Sequence, residues 1–475
     1  MTSQVVPFII NGAESRPEKT FDVVSPGTGK VVHQCGVATE TEALAAVDAA
    51  AKALPAWRNT TPGQRRDILL KAAEIFEKRR PELASYMIDS VAAAQGWADF
   101  NISVTADLVK DVAGRISSIA GSVPTLADPS VSAMVVKEPY GVALAIAPWN
   151  APYILGTRSV LFPIAAGNTV VFKGSELSPK VFWAITDIFK EAGLPDGVLN
   201  FISTDPPHAA AVTETLVSHP HIKKINFTGS TAVGRIIGKL AGQYLKPVVQ
   251  ELGGKAPAII WHDADLNIAA EQCALGSFMF SGQICMSTER ILVHKKISQD
   301  FQKKFVEKIE AMFSSKGDAP VLINANAADK VKKLLKDAVS KGGSVVNGNI
   351  DAEEASKTRL RPIVIAGVTP EMDLYATESF GPSVSLIEIE TEEEALRISN
   401  DTEYGLTSAV FTEDLRTGLR FAKGIETGAV HINNMTVHDE SALPHGGCKA
   451  SGYGRFNATN GIEEWLRTKT ITWRS

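Results

Sequence analysis

The chain has 475 residues, of which 44% are hydrophobic and 21% charged, so it carries enough apolar side chains for more than one folded domain. Its 48 basic and 53 acidic side chains give a formal net charge of −5, which argues against a nucleic-acid partner. No apolar run approaches the roughly 18 residues of a membrane span, and the first residues lack a basic signal-peptide region, so we expect a cytoplasmic protein without a membrane partner.

The order of predicted elements along the chain is typical of an α/β protein. Amphipathic, alanine-rich segments predict helices at residues 40–54, 61–80 and 101–119. Beyond them, strands are predicted at residues 141–147, 169–173, 198–202 and 222–227, and helices at residues 154–164, 179–191 and 231–241. This alternation predicts βαβ units in a mostly parallel sheet, and a second alternating block runs from residue 256 to about 421. The alternating residues 468–473 predict an exposed strand, whose edge needs a partner from this chain or another subunit.

Two turns after predicted strands have the composition of a dinucleotide site. Gly229 and Ser230 lie between a β-run and an amphipathic helix, where backbone N–H groups can meet a phosphate. Ser230 as a plain helix N-cap explains the same pattern equally well. Lys173 and Glu176 follow another strand and could hold ribose hydroxyls, with Glu176 repelling the 2′-phosphate of NADP. A surface ion pair is the alternative for these two residues.

Three further residues have side chains that suit acyl-transfer chemistry. Cys285 follows Gly282 in the run Phe280 to Ser287, and four cysteines in so long a chain predict free thiols rather than a disulfide scaffold. Glu251 precedes two glycines, and Asn150 lies between Pro148 and Pro152, where its amide could stabilise an oxyanion. Taken singly, an inert buried cysteine, a solvated loop carboxylate and a helix-capping asparagine remain open.

The joint order and spacing of these motifs resemble the aldehyde dehydrogenase superfamily. The resemblance covers nearly the whole chain, and its closest branch is that of the salicylaldehyde, vanillin and benzaldehyde dehydrogenases. The motifs that carry it are Pro148-Trp149-Asn150, Lys173-x-x-Glu176, Phe227 to Ser230, Glu251 to Lys255, Gly282 to Cys285, Glu378 to Pro382, Asn400 to Gly405 and Pro444 to Gly454; residues 148–158, 436–440 and 449–456 suggest the branch.

The resemblance implies a fold with a Rossmann-like cofactor domain, an α/β catalytic domain and a small β oligomerisation arm. The implied NAD-binding domain comprises residues 1–120 and 139–251, with residues 445–461 returning to it. Residues 252–444 form the implied catalytic domain, and residues 121–138 and 462–475 the oligomerisation strands. A homodimer or homotetramer is expected.

The resemblance also implies a role for each motif residue. Cys285 would attack the aldehyde, Asn150 and the Cys285 backbone N–H would hold the oxyanion, and Glu251 would activate water to hydrolyse the thioester. NAD is the implied cofactor, and no metal is expected. Its implied ligands are Trp149, Lys173, Glu176, Gly229, Ser230, Glu378 and Phe380.

The helix that follows Asn150 supplies some of the residues predicted to line the substrate pocket. Ala151, Leu155 and Arg158 share one helical face by their spacing, and Ile284 and Met286 flank the nucleophile. Arg158 could bond a ring hydroxyl, or instead pair with an acidic residue of the protein. The family usually has Phe where this chain has His445, and we expect His445 to contact the substrate; Gly174, where the family often has Pro, predicts a looser ribose turn.

The favoured function is therefore NAD-dependent oxidation of an aromatic, hydroxylated benzaldehyde to its acid. An aliphatic or semialdehyde dehydrogenase, and a catalytically silent structural homologue, are the alternatives. Transfer of the thioester to coenzyme A is disfavoured by the presence of Glu251. The sequence contains no HExxH, CxxC, GxSxG or P-loop pattern that would indicate other chemistry.

Overall fold

The computed structural model describes residues 5–313 and 317–474. The α-helices of these residues are, in chain order, α1 Glu40–Trp57, α2 Pro62–Lys78, α3 Arg80–Val91, α4 Gln95–Arg115, α5 Pro152–Ala165, α6 Pro179–Glu191, α7 Pro206–Ser218, α8 Thr231–Gln243, α9 Leu266–Phe278, α10 Ser298–Met312, α11 Ala325–Ser340, α12 Asp373–Ala376, α13 Glu392–Asn400, α14 Leu415–Gly424 and α15 Ala458–Glu463.

The strands are distributed over both halves of the chain. They are β1 Val5–Val6, β2 Phe8–Ile10, β3 Ala13–Ser15, β4 Thr20–Val24, β5 Val31–Gly36, β6 Val131–Pro139, β7 Val142–Ile146, β8 Thr169–Lys173, β9 Leu199–Ile202, β10 Ile222–Thr228, β11 Val248–Glu251, β12 Ala256–Ile260, β13 Thr288–His294, β14 Ser344–Asn347, β15 Ile363–Ala366, β16 Ser383–Ile389, β17 Thr407–Phe411, β18 Ala429–Ile432, β19 Gly452–Tyr453 and β20 Leu466–Arg474.

The first large sheet has the strand order β19-β11-β10-β7-β8-β9-β2-β3, and its central strands from β11 to β9 are parallel. The chain starts this parallel unit at β7, adds β8 and β9 on one side, and then returns to place β10 and β11 on the other. The carboxyl ends of β7 and β10 therefore flank the point where the strand order reverses, which is where open α/β sheets bind ligands.

The second large sheet has the order β14-β15-β16-β13-β12-β17-β18 and is parallel except for β14. Its central strands β12 and β13 are buried along their whole length, as expected for a parallel sheet covered on both faces. Sheet membership changes between Glu251, the last residue of β11, and Ala256, the first of β12. The segment between these two residues therefore joins the carboxyl edge of one sheet to the amino edge of the other.

A separate two-stranded ribbon is formed by β6 and β20, which pair antiparallel from Leu466 opposite Pro139 to Arg474 opposite Val131. Every residue of β20 after Leu466 is exposed. The remaining short strands form a three-stranded sheet in the order β1-β5-β4. The strand predicted at residues 468–473 is thus confirmed, and its partner within the chain is β6.

Two helices depart from their predicted bounds for reasons of packing. Helix α1 continues through Pro55 to Trp57, whose buried indole donates a hydrogen bond to the Ile164 carbonyl. Helix α4 begins at Gln95 rather than at residue 101, because Trp97 and the residue after it also pack into the interior. In both cases tertiary burial extends a helix beyond its clearest sequence periodicity.

Candidate active site

The loop that carries Cys285 has an unusual backbone. Helix α9 ends at Phe278, and the following residues Phe280, Ser281 and Gly282 all have positive φ angles, of 46°, 58° and 68°. Left-handed backbone costs about 1–2 kcal/mol for a residue with a Cβ, so the surrounding structure must hold it. A Cβ on Gly282 would lie 2.2 Å from the Gly381 carbonyl oxygen, which explains the glycine.

The side chain of Gln283 anchors this loop. Its Nε2 donates to the carbonyls of Phe280 and Val321 at 3.2 Å each, and its Oε1 accepts from the Ile323 N–H at 2.8 Å. The Gln283 carbonyl in turn accepts a 3.0 Å hydrogen bond from Nδ2 of Asn150. Asn150, just beyond the carboxyl end of β7, is therefore attached directly to the nucleophile loop.

Glu251 reaches Cys285 because a glycine lets the two segments approach. A Cβ on Gly254 would lie 2.3 Å from the Cys285 carbonyl oxygen, so no larger residue fits there. The Cys285 Sγ lies 3.4 Å from Glu251 Oε1. Burial, followed by the neighbouring Glu251 and Glu378 carboxylates, raises the pKa of the Cys285 thiol well above its usual value, and Arg158 opposes this only in part. The resting thiol therefore keeps its proton, and Glu251 is the adjacent group that can accept it.

A buried cluster of charges surrounds Glu251. His445 Nε2 lies 3.0 Å from Glu251 Oε1, and Arg158 Nη1 lies 3.6 Å from Glu251 Oε2. Both cations also meet Asp439: Arg158 through a direct ion pair, and His445 through Nδ1 at 3.7 Å. Asn457 donates a 2.7 Å hydrogen bond to the same aspartate. Burial alone would raise the pKa of Glu251, but His445 and Arg158 outweigh it and lower that pKa.

A small apolar cavity of about 50 Å³ lies on the substrate side of Cys285. The predicted residues Ala151, Leu155, Arg158, Ile284 and Met286 line it together with Asn150, Glu251 and Cys285, and residues that sequence reasoning missed are Trp97, Phe100, Val104, Ile154, Val437 and Asp439. Ala151 caps helix α5 rather than lying within it.

His445 does not line this cavity; it lies behind Glu251, in a second small cavity that it shares with Asp439. Its predicted contact with substrate stays a prediction.

Helix α4 supplies the aromatic side chains of the substrate-side cavity, which the sequence analysis did not predict. Trp97, Phe100 and Val104 recur at i, i+3 and i+7, so they share a helical face, and this spacing is the signal that could have found them. The Trp97 ring stacks on both Phe100 and Phe280, with ring centroids 5.5 Å apart in each pair. Its indole N–H donates to the Asn150 carbonyl at 3.1 Å. One end of the cavity is therefore a rigid aromatic wall.

A larger cavity of about 240 Å³ also adjoins Cys285. It lies where the strand order of the first sheet reverses, next to the carboxyl ends of β7, β10 and β11. The predicted cofactor residues among its lining are Trp149, Gly229, Ser230, Glu378 and Phe380, and the further lining residues are Pro148, Asn150, Leu155, Thr228, Glu251, Leu252, Gly253, Cys285 and Lys330.

Glu378 is held at the edge of this cavity by a buried ion pair. Lys255 Nζ lies 2.5 Å from Glu289, whose oxygens accept the backbone N–H groups of Ser379 and Phe380. Glu378 Oε1 accepts the Gly254 N–H at 2.8 Å. Burial and the nearby Glu289 raise the pKa of Glu378 to about 7. Sequence reasoning missed this pair, because nothing local links the two residues.

The profile of the aldehyde dehydrogenase family matches residues 13–471. The chain belongs to the aldehyde dehydrogenase family. It is 42% identical to a vanillin dehydrogenase of Pseudomonas sp. (strain HR199 / DSM 7063) and 40% identical to a salicylaldehyde dehydrogenase of Pseudomonas putida, and each match covers 98% of this chain and 97% of the relative.

Solved structures agree with this assignment. The crystal structure of a salicylaldehyde dehydrogenase from Pseudomonas putida G7 complexed with salicylaldehyde is 38% identical, with a TM-score of 0.96 over 99% of this chain and 98% of that one. A betaine aldehyde dehydrogenase from Staphylococcus aureus in complex with NAD+ is 27% identical, with a TM-score of 0.93 over 98% and 94% of the two chains. This protein therefore has the aldehyde dehydrogenase fold and is an aldehyde-oxidising enzyme that uses a nicotinamide cofactor.

The residues around the larger cavity fit such a cofactor. Glu378 has one oxygen engaged by the Gly254 N–H and lines the cavity, where a ribose hydroxyl could donate to the other. Ser230 caps helix α8, so the amino end of that helix adjoins the same cavity. Lys173, the last residue of β8, is buried and makes no hydrogen bond within residues 5–313 and 317–474. Burial lowers the pKa of Lys173, and the Glu176 carboxylate opposes this in part. Neither Lys173 nor Glu176 lines the cavity itself.

No helix of the described ranges is long and apolar enough to cross a membrane.

Proposed function

We propose that this enzyme oxidises hydroxylated aromatic aldehydes to carboxylic acids with NAD, through Cys285 as nucleophile and Glu251 as general base. The observation that carries the proposal is the position of the Cys285 thiol. It lies between two cavities, one apolar with an aromatic wall and one at the cofactor-binding edge of the first sheet, and it contacts a buried carboxylate at 3.4 Å.

The first step follows from the protonation of the thiol. Because the surroundings raise its pKa, Cys285 attacks the aldehyde carbon as its proton passes to Glu251 Oε1. The oxyanion that forms is then stabilised by the second N–H of the Asn150 amide, whose first N–H is fixed on the Gln283 carbonyl, and by the Cys285 backbone N–H. The nicotinamide ring, when bound, supplies the hydride acceptor.

The second step is hydrolysis of the thioester on Cys285. Glu251 Oε2 is buried and makes no hydrogen bond to any described residue, although Arg158 Nη1 lies 3.6 Å away. Once the proton taken from Cys285 has passed to solvent, the ionised carboxylate can accept a proton from an attacking water molecule. As the proton leaves, the water oxygen bonds to the thioester carbon; the C–S bond then breaks, which releases the carboxylic acid and a Cys285 thiolate that takes a proton back.

Two features support an aromatic substrate that carries a hydroxyl. Trp97 and Phe100 line the substrate-side cavity and offer aromatic surface that a benzene ring can contact. Arg158 Nε and Nη1 are buried without hydrogen-bond partners among the described residues, and Arg158 lines the same cavity. Since unpaired buried donors are costly, a ring hydroxyl that accepts from Arg158 is favoured over an unsubstituted ring.

The same charges disfavour a semialdehyde, which carries its own carboxylate. Arg158 is already neutralised by Asp439, and Glu251 adds a second negative charge beside it. A substrate carboxylate would therefore meet no net positive charge in this cavity. Identity of 33% to a mitochondrial succinate-semialdehyde dehydrogenase of Arabidopsis thaliana shows that such enzymes are also relatives, so the distinction needs a direct test.

The test is a panel of aldehydes followed by NADH absorbance. We expect kcat/KM to be highest for hydroxylated benzaldehydes, lower for benzaldehyde, and lowest for acetaldehyde and succinate semialdehyde. A panel led by the aliphatic aldehydes would contradict the aromatic assignment while leaving the dehydrogenase assignment intact.

The role of Glu251 is tested by trapping the thioester. Glu251→Gln removes the base of both steps, so turnover falls. Solvent can still take the thiol proton slowly, whereas the thioester then lacks a base for its hydrolysis, so intact-mass spectrometry after prolonged mixing with aldehyde and NAD should show one acyl group per chain. The matched control is Glu251→Gln combined with Cys285→Ser, which should show no added mass. Steady turnover of Glu251→Gln at the wild-type rate would refute the assignment.

A further inference from the structure

The side chains around Glu251 form a closed set of four buried charges, which we name the charge quartet: Glu251, His445, Asp439 and Arg158. Glu251 lies against both His445 and Arg158, and Asp439 lies against the same two residues on their other side. The side chains of the four have exposed fractions of only 1%, 9%, 14% and 2%, respectively. Two anions and two cations thus alternate in a region shielded from water.

We propose that His445, next to Asp439, is a positioning residue for Glu251. The His445 imidazolium keeps the Glu251 carboxylate ionised and directed at Cys285. This inference rests on the proposed function, because it concerns the general base of that reaction. His445 acts only through Glu251: it lies behind the carboxylate and does not line the substrate-side cavity. A phenylalanine at this position could not supply this charge.

The geometry explains why a cation is needed at this position. Glu251 Oε1 is shared between the Cys285 thiol at 3.4 Å and His445 Nε2 at 3.0 Å. An ionised carboxylate in a dry site is stable only when it is paired and hydrogen-bonded. Arg158 lies 3.6 Å away and is engaged mainly by Asp439, so His445 supplies the close contact.

Asp439 has the matching role toward His445. Burial alone would lower the pKa of the imidazole, but Asp439 and Glu251 outweigh it and raise that pKa. Burial likewise acts against the Asp439 carboxylate, yet Arg158 and His445 lower its pKa to about 2. Asp439 therefore stays charged throughout the working pH range and favours the protonated form of His445.

Other ionisable groups near His445 come from the neighbouring segments of the chain. Burial and the nearby His438 and His445 lower the pKa of His431 to about 4, so it stays neutral. Cys285 lies beside Glu251, and His438 and Glu440 pair with each other at 3.1 Å. Arg455, next to the bridge between His445 and Phe456, donates to the carbonyls of Gly447 and Gly454. None of them contacts Glu251 from the side that His445 occupies.

The charge balance of the quartet predicts how activity depends on pH. With all four groups charged, the net charge is zero. Replacing His445 by a neutral residue leaves two anions and one cation, so the pKa of Glu251 rises. Because a base must be ionised to act, activity is then lost at a higher pH as the solution is acidified, while activity at alkaline pH is retained.

The experiment measures kcat/KM for a good aldehyde between about pH 5 and pH 9 in full-length variants. For His445→Gln we expect the acid limb of the profile to move to higher pH, so that the ratio of kcat/KM at the acid end to that at the alkaline end falls relative to wild type; where the limb lies within the measured range, each unit of that shift lowers the ratio by up to about tenfold. His445→Phe, which introduces the residue common in the family, is the second variant and should behave alike. His438→Gln is the matched control, a neighbouring histidine that does not touch Glu251, and should keep the wild-type profile.

A double variant separates charge from structure. Asp439→Asn added to His445→Gln leaves one anion and one cation, so the acid limb should move back toward wild type although two residues have changed. A merely structural role for His445 would instead lower kcat/KM by the same factor at every pH, and the second substitution would lower it further; either result would overturn the proposal. If wild type itself oxidised no aldehyde, or if Cys285→Ser retained turnover, the proposed function would fail instead.

Discussion

Arg158 offers the most direct test of substrate specificity, because its surroundings can be kept almost unchanged. Its guanidinium pairs with Asp439 through Nη2, while Nε and Nη1 are buried without hydrogen bonds to described residues. Replacement by lysine keeps a positive charge beside Asp439 and Glu251 but removes the fork of donors. Arg158→Lys should therefore fold, and lose only the contact to a ring hydroxyl.

The size of the effect follows from the two unpaired donors. A hydrogen bond between the substrate hydroxyl and a charged donor contributes about 1.5–3 kcal/mol. Because a lysine at position 158 would replace part of this hydrogen bond, the net loss of transition-state stabilisation should be about 1–2 kcal/mol. At about 1.4 kcal/mol per factor of ten, the ratio of kcat/KM for a hydroxylated benzaldehyde over benzaldehyde should fall by about 5- to 30-fold. Benzaldehyde itself should change little.

The assay follows NADH formation for the two aldehydes with wild type and Arg158→Lys under identical conditions. Leu155→Met is the matched control, since it changes the same helical face of the cavity without altering its charge. If Arg158→Lys lowers kcat/KM equally for both aldehydes, then Arg158 is a structural partner of Asp439 and the reasoning about its free donors is wrong.

Three further outcomes are expected. Cys285→Ser should abolish aldehyde oxidation while NAD still quenches the intrinsic fluorescence, because the cofactor groups lie elsewhere; substantial residual turnover would exclude Cys285 as the nucleophile. Glu176 should make kcat/KM higher with NAD than with NADP, and Glu176→Gln should reduce that preference by weakening the repulsion of the 2′-phosphate; equal use of both cofactors by wild type would contradict it. The ribbon of β6 and β20 should pack against a second subunit, because an isolated two-stranded ribbon is marginally stable and residues 467–474 are all exposed. Light scattering at micromolar concentration should report a dimer or tetramer, and a monomer would refute this.

The amino-acid sequence alone was sufficient for the features that depend on short stretches of chain. Strand β8 and helix α6 have the bounds that their hydrophobic pattern predicts, because each buries its own apolar residues regularly. The glycines at 254 and 282 mark close backbone approaches that only glycine permits, so Cys285 and Glu251 stand out beside them. The order of these motifs also identified the family, which the comparisons confirm.

What only the tertiary structure decided is which side chains meet across long separations. His445 contacts a carboxylate 194 positions earlier, and Arg158 pairs with an aspartate 281 positions later. Local pattern carries no information about such pairs, since their partners are brought together by the order of strands in two sheets. Trp97 was missed for the same reason: its helix gives it a buried face, but only packing against Phe280 and Asn150 makes that face part of the site.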